Sequence, residues 1–362
     1  MPQKAIRVLL VDDSPLARAV LQRLLANAPN IEVVGTASNG REALELIPRL
    51  EPTLICTDYH MPQMDGLELT RQVMAKFPRP ILVISSAVGE TDTDRVFALL
   101  EAGAVDVFPK PRGGPEADTT AAAQLIRKVT VAAGVWVLGR RTSPGDSSTA
   151  PPPVSVVSSS VVPTAAPARI ISIGASTGGP QALQTILAQL PLHFPLPILC
   201  VQHISAGFLP GLINWLGAHC RGKVVIAQDG DVPQAGRIYF PQEDTHLVVN
   251  HQGQLQASCE PPLGGHRPSV TVTFRSVARY YKDAALGVLL TGMGRDGGEG
   301  MQAIAEAGGQ TIAQDEATSV IYGMPKDAIE RGAAGSVLPV QEIAGALIKA
   351  AAVSSPGPRR RI

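Results

Sequence analysis

Two sets of residues have the types and spacing to do chemistry. In the first, Asp12-Asp13 directly follow the apolar run Ile6 to Val11, and Asp58 directly follows Leu54 to Thr57. Ser85-Ser86 and Lys110-Pro111 end two later apolar runs in the same way. Three carboxylates gathered at one place repel one another unless a hard cation lies among them. Mg2+ suits such a set, since one or two carboxylates, a carbonyl and water satisfy it. A cation there also neutralises an incoming phosphoryl group, so that one aspartate can act as nucleophile and form an acyl phosphate. Any one of these charges alone reads equally as a helix cap or a surface residue; their shared position at strand ends sets them apart.

The second set begins at Gly174-Ala175-Ser176-Thr177-Gly178, a serine with glycines two residues to either side, between the β-like run Arg169 to Gly174 and a helical stretch from about Pro180. A sharp strand-to-helix turn needs small neighbours if the serine is to stand clear of it. The helix start adds unpaired N–H groups and positive potential beside an incipient oxyanion. The run LPILCVQHIS ends at His203, and ALGVLLTGMGRDGGEG carries Asp296 in a glycine-rich loop. A histidine at a strand end can take the serine proton, and an aspartate can orient the imidazole and stabilise its cation. The order Ser-His-Asp differs from that of the α/β-hydrolases, chymotrypsin and subtilisin, but roles and geometry define a triad. Among the other histidines, His193, His219, His246 and His251 read as surface or packing residues, and His266, in the loop HRPS ahead of a helix, ranks below His203 as the base.

These residues need elements to position them. Up to about Val131, short apolar runs alternate with helical patterns: strands at Ile6 to Val11, Ile31 to Gly35, Leu54 to Thr57, Pro80 to Ser85 and Ala104 to Phe108, the last helix spanning about Asp118 to Val131. That (βα)5 order predicts a parallel, doubly wound sheet, whose functional groups gather at the carboxyl ends of its strands. Residues 140–168 change to Pro, Ser, Thr, Ala and Val without period and read as a flexible linker, spanning roughly 30 Å by coil scaling. A second, mainly parallel doubly wound α/β pattern runs over 169–353, leaving 354–362 as a tail. The expected organisation is therefore 1–139, linker 140–168, and 169–353.

Composition agrees with a globular chain of 362 residues: 45% are hydrophobic, and Lys+Arg and Asp+Glu are both 31. A balanced charge argues for neither nucleic acid nor an acidic membrane surface. No window offers the ~20 uninterrupted apolar residues of a membrane span. Four scattered cysteines form no metal pattern. The expectation is a cytoplasmic protein without membrane insertion.

The first half, with its DD pair, Asp58, Ser85, Lys110-Pro111 and the MPQMDG turn, resembles the receiver domain of two-component response regulators over about residues 4–138. The resemblance implies Asp58 as phospho-acceptor, and Mg2+ held by Asp12, Asp13, Asp58 and the His60 carbonyl. It also implies Ser85 meeting the phosphoryl group, Lys110 pairing with it, and a histidine kinase as donor. Val107 stands where many receivers carry a switching aromatic. In the second half, GASTGGP, VQHI, HRPSV, TGMGRDG and YGMPKDAI resemble the catalytic domain of chemotaxis-type protein-glutamate methylesterases over about Arg169 to Ala351. That implies a Ser176-His203-Asp296 triad needing no cofactor, with the Met293 N–H and Thr177 as oxyanion contributors. The implied substrates are glutamyl methyl esters of chemoreceptors, and receptor glutamines as well in relatives that also deamidate.

The rival reading is a receiver fused to a non-enzymatic nucleotide-binding or protein-docking domain, with Gly174, Gly178 and Gly179 cradling a phosphate. Against it, the second strand closes in Gln202-His203 rather than in the acid that would meet a ribose, and Ser176 interrupts the glycine spacing.

Overall fold

The computed structural model describes residues 5–86, 90–111, 115–135 and 167–353. Nearly all of the expected linker and the whole expected tail lie outside them.

The first layer runs β1 (Ile6–Val11), α1 (Pro15–Leu25), β2 (Ile31–Ala37), α2 (Gly40–Leu50), β3 (Leu54–Thr57), α3 (Gly66–Lys76), β4 (Ile81–Ser85), α4 (Glu90–Ala102), β5 (Asp106–Pro109) and α5 (Pro115–Ala133). Its strands pair in parallel in the order β2-β1-β3-β4-β5. Helices cover both faces, so β3 and β4 are buried along their whole length and read as continuous apolar runs. Local chemistry fixes the helix starts. Ser14, Asn39 and Asp65 accept hydrogen bonds from the first-turn amides of α1, α2 and α3, and Glu42 reaches back to the Ser38 N–H at 2.6 Å. Of the boundaries that differ from the sequence expectation, two have a plain local cause. Ala104 closes α4, its N–H bonding to the Leu99 carbonyl beside Gly103 at φ 120°, so β5 begins at Asp106. Pro115 opens α5 three residues early, at the position where its missing N–H costs nothing.

The second layer runs β6 (Ile170–Ala175), α6 (Gly179–Leu187), β7 (Ile198–Gln202), α7 (Leu209–His219), β8 (Lys223–Ile226), β9 (Arg237–Phe240), β10 (His246–Val249), β11 (Leu255–Ser258) and α8 (Val270–Tyr281). It continues with β12 (Ala285–Leu289), α9 (Gly298–Glu306), β13 (Gln310–Gln314), α10 (Met324–Glu330), β14 (Ser336–Leu338) and α11 (Val340–Val353). Seven strands form a parallel sheet in the order β14-β13-β12-β6-β7-β9-β8, while β10 and β11 make a separate antiparallel hairpin. The chain leaves β6 towards β7 and later returns to its other side as β12. The carboxyl ends of β12, β6 and β7 are thus neighbours at a topological switch point.

The two layers touch. Phe97 of α4 stacks on Trp215 of α7 with ring centroids 5.5 Å apart. The Trp215 indole N–H donates to Glu101 at 2.7 Å, and His219 Nε2 lies 3.0 Å from the same carboxylate. Gln181 of α6 donates to the Ala104 carbonyl at 2.9 Å. Val320 packs against the core that α5 forms with its own sheet.

Candidate active site and phosphoacceptor site

At the end of β1 and β3, Asp12, Asp13 and Asp58 each offer an oxygen, all within 4.8 Å of one another. Asp12 and Asp58 are buried and Asp13 is exposed. Lys110, at the end of β5, lies 2.8 Å from Asp12 and 2.6 Å from Asp58. Burial pushes the Asp58 carboxyl up, with the Asp12 charge adding to it and Lys110 opposing both. One lysine against three carboxylates leaves excess negative charge, so this all-oxygen donor set fits a hard divalent cation. Ser85 is buried at the end of β4, and its carbonyl accepts the Lys110 N–H at 2.9 Å. His60 follows two residues after Asp58, its ring in a T-shaped contact with that of Tyr59, centroids 4.7 Å apart. Val107 is buried in β5.

In the second layer, Ser176 follows β6, His203 follows β7, and Asp296 lies in the loop between β12 and α9. Ser176 sits in a tight turn: its N–H donates to the Thr291 carbonyl at 3.0 Å, and its carbonyl accepts from Gly179 at 2.8 Å. The loop carrying Met293 presses on it, since a Cβ at Gly292 would lie 2.7 Å from the Ser176 Cβ. The Ser176 N–H is therefore committed.

Asp296 rests on the N-terminus of α8. It accepts from Val270 N at 2.7 Å, Thr271 N at 3.0 Å and its neighbour Gly297 N at 3.0 Å, and from the Ser269 hydroxyl at 2.8 Å. His203 Nε2 lies 2.9 Å from Oδ2, the oxygen that also accepts the Val270 N–H, while the other three bonds go to Oδ1. Burial pushes the carboxyl up, but the hydrogen bond and charge of His203, with Thr271 behind them, outweigh burial and hold it well below the usual carboxylate range. An ionised Asp296 fixes the imidazole tautomer and favours its cation.

His203 departs from the expectation in one respect. Its Nδ1 is buried and has no hydrogen-bond partner, so the bond to the Ser176 hydroxyl is not made in this state. Such bonds often tighten only when substrate is bound.

Two residues matter more here than the sequence suggests. His266 stacks on His203, centroids 4.1 Å apart and planes 4° from parallel. Burial first, then the neighbouring His203 charge, push its pKa down to about 4. Its ring is therefore a neutral plate against the His203 imidazole. The Gln202 side-chain amide donates to the Ser176 carbonyl at 2.8 Å and the His203 carbonyl at 2.9 Å, tying the Ser176 turn to the end of β7. The HRPS loop and the residue before His203 were the signals for both, but neither reveals a contact partner. His246, by contrast, is buried and accepts the Ser269 N–H at 3.1 Å, a packing role as expected.

The same geometry disfavours the nucleotide reading. The space over Gly178 is taken by Val320, 2.5 Å from where a Cβ would lie, and that over Gly179 by the Gln202 amide at 2.0 Å. The glycines admit protein side chains rather than a phosphate.

Both halves of the chain match known families. The CheB methylesterase family model matches residues 171–347, and the response regulator receiver domain model matches residues 8–121. A protein of Syntrophus aciditrophicus named protein-glutamate methylesterase/protein-glutamine glutaminase 1 is 40% identical over 356 residues, covering 97% of this chain and 100% of that one. One of Myxococcus xanthus, bearing the same name with the number 4, is 41% identical over 350 residues, covering 97% and 98%. Among solved structures, the Thermotoga maritima CheB methylesterase catalytic domain is 38% identical, covers 50% of this chain and 98% of its own, and has a TM-score of 0.49. With two relatives at this identity spanning both layers end to end, the chain belongs to the CheB methylesterase family and carries a response regulator receiver domain at its amino-terminal end.

Proposed function

We propose that this chain hydrolyses glutamyl methyl esters on chemoreceptors and that phosphorylation of its receiver activates it. The observation that carries the esterase reading is the 2.9 Å pair of His203 and an ionised Asp296, one strand end away on either side of Ser176. Ser176 attacks the ester carbonyl while His203 takes its proton. The oxyanion is held by N–H groups of the Ser176 and Asp296 loops, those of Thr177 and Met293. His203 returns the proton to the leaving oxygen, and methanol departs. Water, deprotonated by the same imidazole, then cleaves the acyl-serine and leaves a glutamate carboxylate. A glutamine side chain presents the same carbonyl, with ammonia leaving, so receptor deamidation is a second activity of the same site.

On the receiver, Asp58 is the phosphoryl acceptor and a histidine kinase the donor. Asp12, Asp13 and Asp58, with the His60 carbonyl, would hold Mg2+, which supplies charge neutralisation for phosphoryl transfer. Ser85 and Lys110 meet the phosphoryl oxygens. The boundaries that go with this reading are 1–139 for the receiver, 140–168 for the linker and 169–353 for the esterase. The compartment is the cytoplasm; among the described residues no helix is long and apolar enough to cross a membrane. In the arrangement described above the receiver lies beside the catalytic loops, and the large substrate must wait for it to move.

The test is methanol release from methylated receptor membranes, with and without acetyl phosphate and Mg2+. Release should rise with the phosphodonor in the wild type, stay unstimulated in Asp58→Asn, and vanish in Ser176→Ala with folding intact. Substantial turnover by Ser176→Ala would sink the nucleophile assignment.

A further inference from the structure

Thr177, directly after the nucleophile, is buried, and the acceptor for its hydroxyl comes from the other layer: Oγ1 donates to Asp106 Oδ2 at 2.8 Å. The Thr177 carbonyl is held from within its own layer by the Thr291 hydroxyl at 2.9 Å. The backbone beside Ser176 is thus fixed by the esterase, and the side chain by the receiver.

Asp106 is well placed to give this contact up. Its other oxygen accepts the Val107 N–H at 2.8 Å, and Lys128 of α5 pairs with the oxygen that Thr177 uses. Losing Thr177 therefore leaves no orphaned carboxylate on the receiver, and the buried-charge penalty that would resist opening is absent. Asp106 also begins β5, the strand that Lys110 directly follows, and the Lys110 ammonium bridges Asp12 and Asp58. Phosphorylation of Asp58 changes what Lys110 pairs with, at the far end of that four-residue strand.

We propose that Asp106 is a positioning residue for the esterase centre: its carboxylate draws the Thr177 hydroxyl out of the catalytic cleft, so the receiver restrains the nucleophile turn itself as well as obstructing the approach of a large substrate. This rests on the assignment of Ser176 as nucleophile. Occlusion alone acts on substrates by size. A hydrogen bond to the residue after the nucleophile acts on every acylating reagent, however small. Releasing it returns a hydroxyl donor to the side of the cleft where the oxyanion forms.

The experiment is the rate at which a small fluorophosphonate labels Ser176 in the full chain, before and after acetyl phosphate with Mg2+. Asp106→Ala should label about three- to tenfold faster than wild type without phosphodonor, the size of one hydrogen bond, and gain correspondingly less when phosphodonor is added. Thr177→Ser, which keeps the hydroxyl, should preserve the response to Asp106→Ala; Thr177→Val should lose it. This dependence on the hydroxyl separates a specific restraint from general loosening of the interface. Wild-type labelling in Asp106→Ala, or an equal gain from Asp106→Ala in the Thr177→Val background, overturns the inference while leaving the esterase reading intact. No labelling of any chain, phosphodonor-treated wild type included, overturns the nucleophile assignment and the inference with it.

Discussion

His203 has a carboxylate at one ring nitrogen and a second imidazole on one face. Asp296 Oδ2 lies 2.9 Å from Nε2, and the His266 ring stacks at a centroid distance of 4.1 Å. The neutral state of His266 has a pH signature. Unfolded, it takes a proton near its ordinary value of 6.5; folded, only near 4. Between those values the unfolded chain holds the extra proton, so the stability that neutral His266 contributes is present above about pH 6.5 and is lost as pH falls towards 4. His266→Phe keeps a ring but cannot titrate, and its melting temperature should fall less over that window than the wild type's. Parallel melting curves would mean that the ring is not held neutral by burial.

At the scale of elements, helix α8 does two jobs with one residue. Ser269 accepts the Val272 N–H as the N-cap and donates its own hydroxyl proton to Asp296. Its first-turn amides then seat the carboxylate, a use of the helix terminus that favours negative charge. Ser269→Ala should cost about 1 kcal/mol in denaturant unfolding, as an N-cap loss does. It should also lower kcat roughly tenfold, because a bond to a charged group goes with it. A stability loss with unchanged kcat would show that the backbone amides alone position Asp296. The paired residue Gln202 shows the same economy at the end of β7, where one amide ties the carbonyls of two strand-end loops.

At the scale of the molecule, the described contacts of the receiver with the esterase include β5 and α5 beside the catalytic loops, Ala104 against α6, and α4 on α7. Arg127 of α5 has a guanidinium nitrogen 3.7 Å from where a Cβ on Gly294 would lie, beside the loop that carries Met293. The α4–α7 contact is made through Phe97, Trp215 and Glu101. Glu101→Ala removes the acceptor of the Trp215 indole and the partner of His219. It should raise basal methanol release from receptor membranes about fivefold, the effect of one neutral-range hydrogen bond on docking, and leave the phosphorylated rate unchanged. An unchanged basal rate would show that the α4–α7 contact contributes nothing to the restraint.

The succession of apolar runs and helical patterns was enough to determine two parallel α/β layers, and the residues closing those runs were enough to nominate both sites. Each depends on neighbours within a few positions: propensity, capping and strand termination are short-range effects. Which strand ends become neighbours is different. His203 and Asp296 meet across 93 residues only because β12 returns to the free side of β6, and no local pattern encodes that order. The stacking of His266, the bridging by Gln202 and the reach of Asp106 to Thr177 were illegible for the same reason. Their partners are selected by packing of separate elements, and for Asp106 by packing of two separate layers. The sequence alone thus nominated the candidate reacting groups, and the tertiary structure decided what surrounds each of them, because contacts between distant segments depend on how the elements pack rather than on the residues beside them.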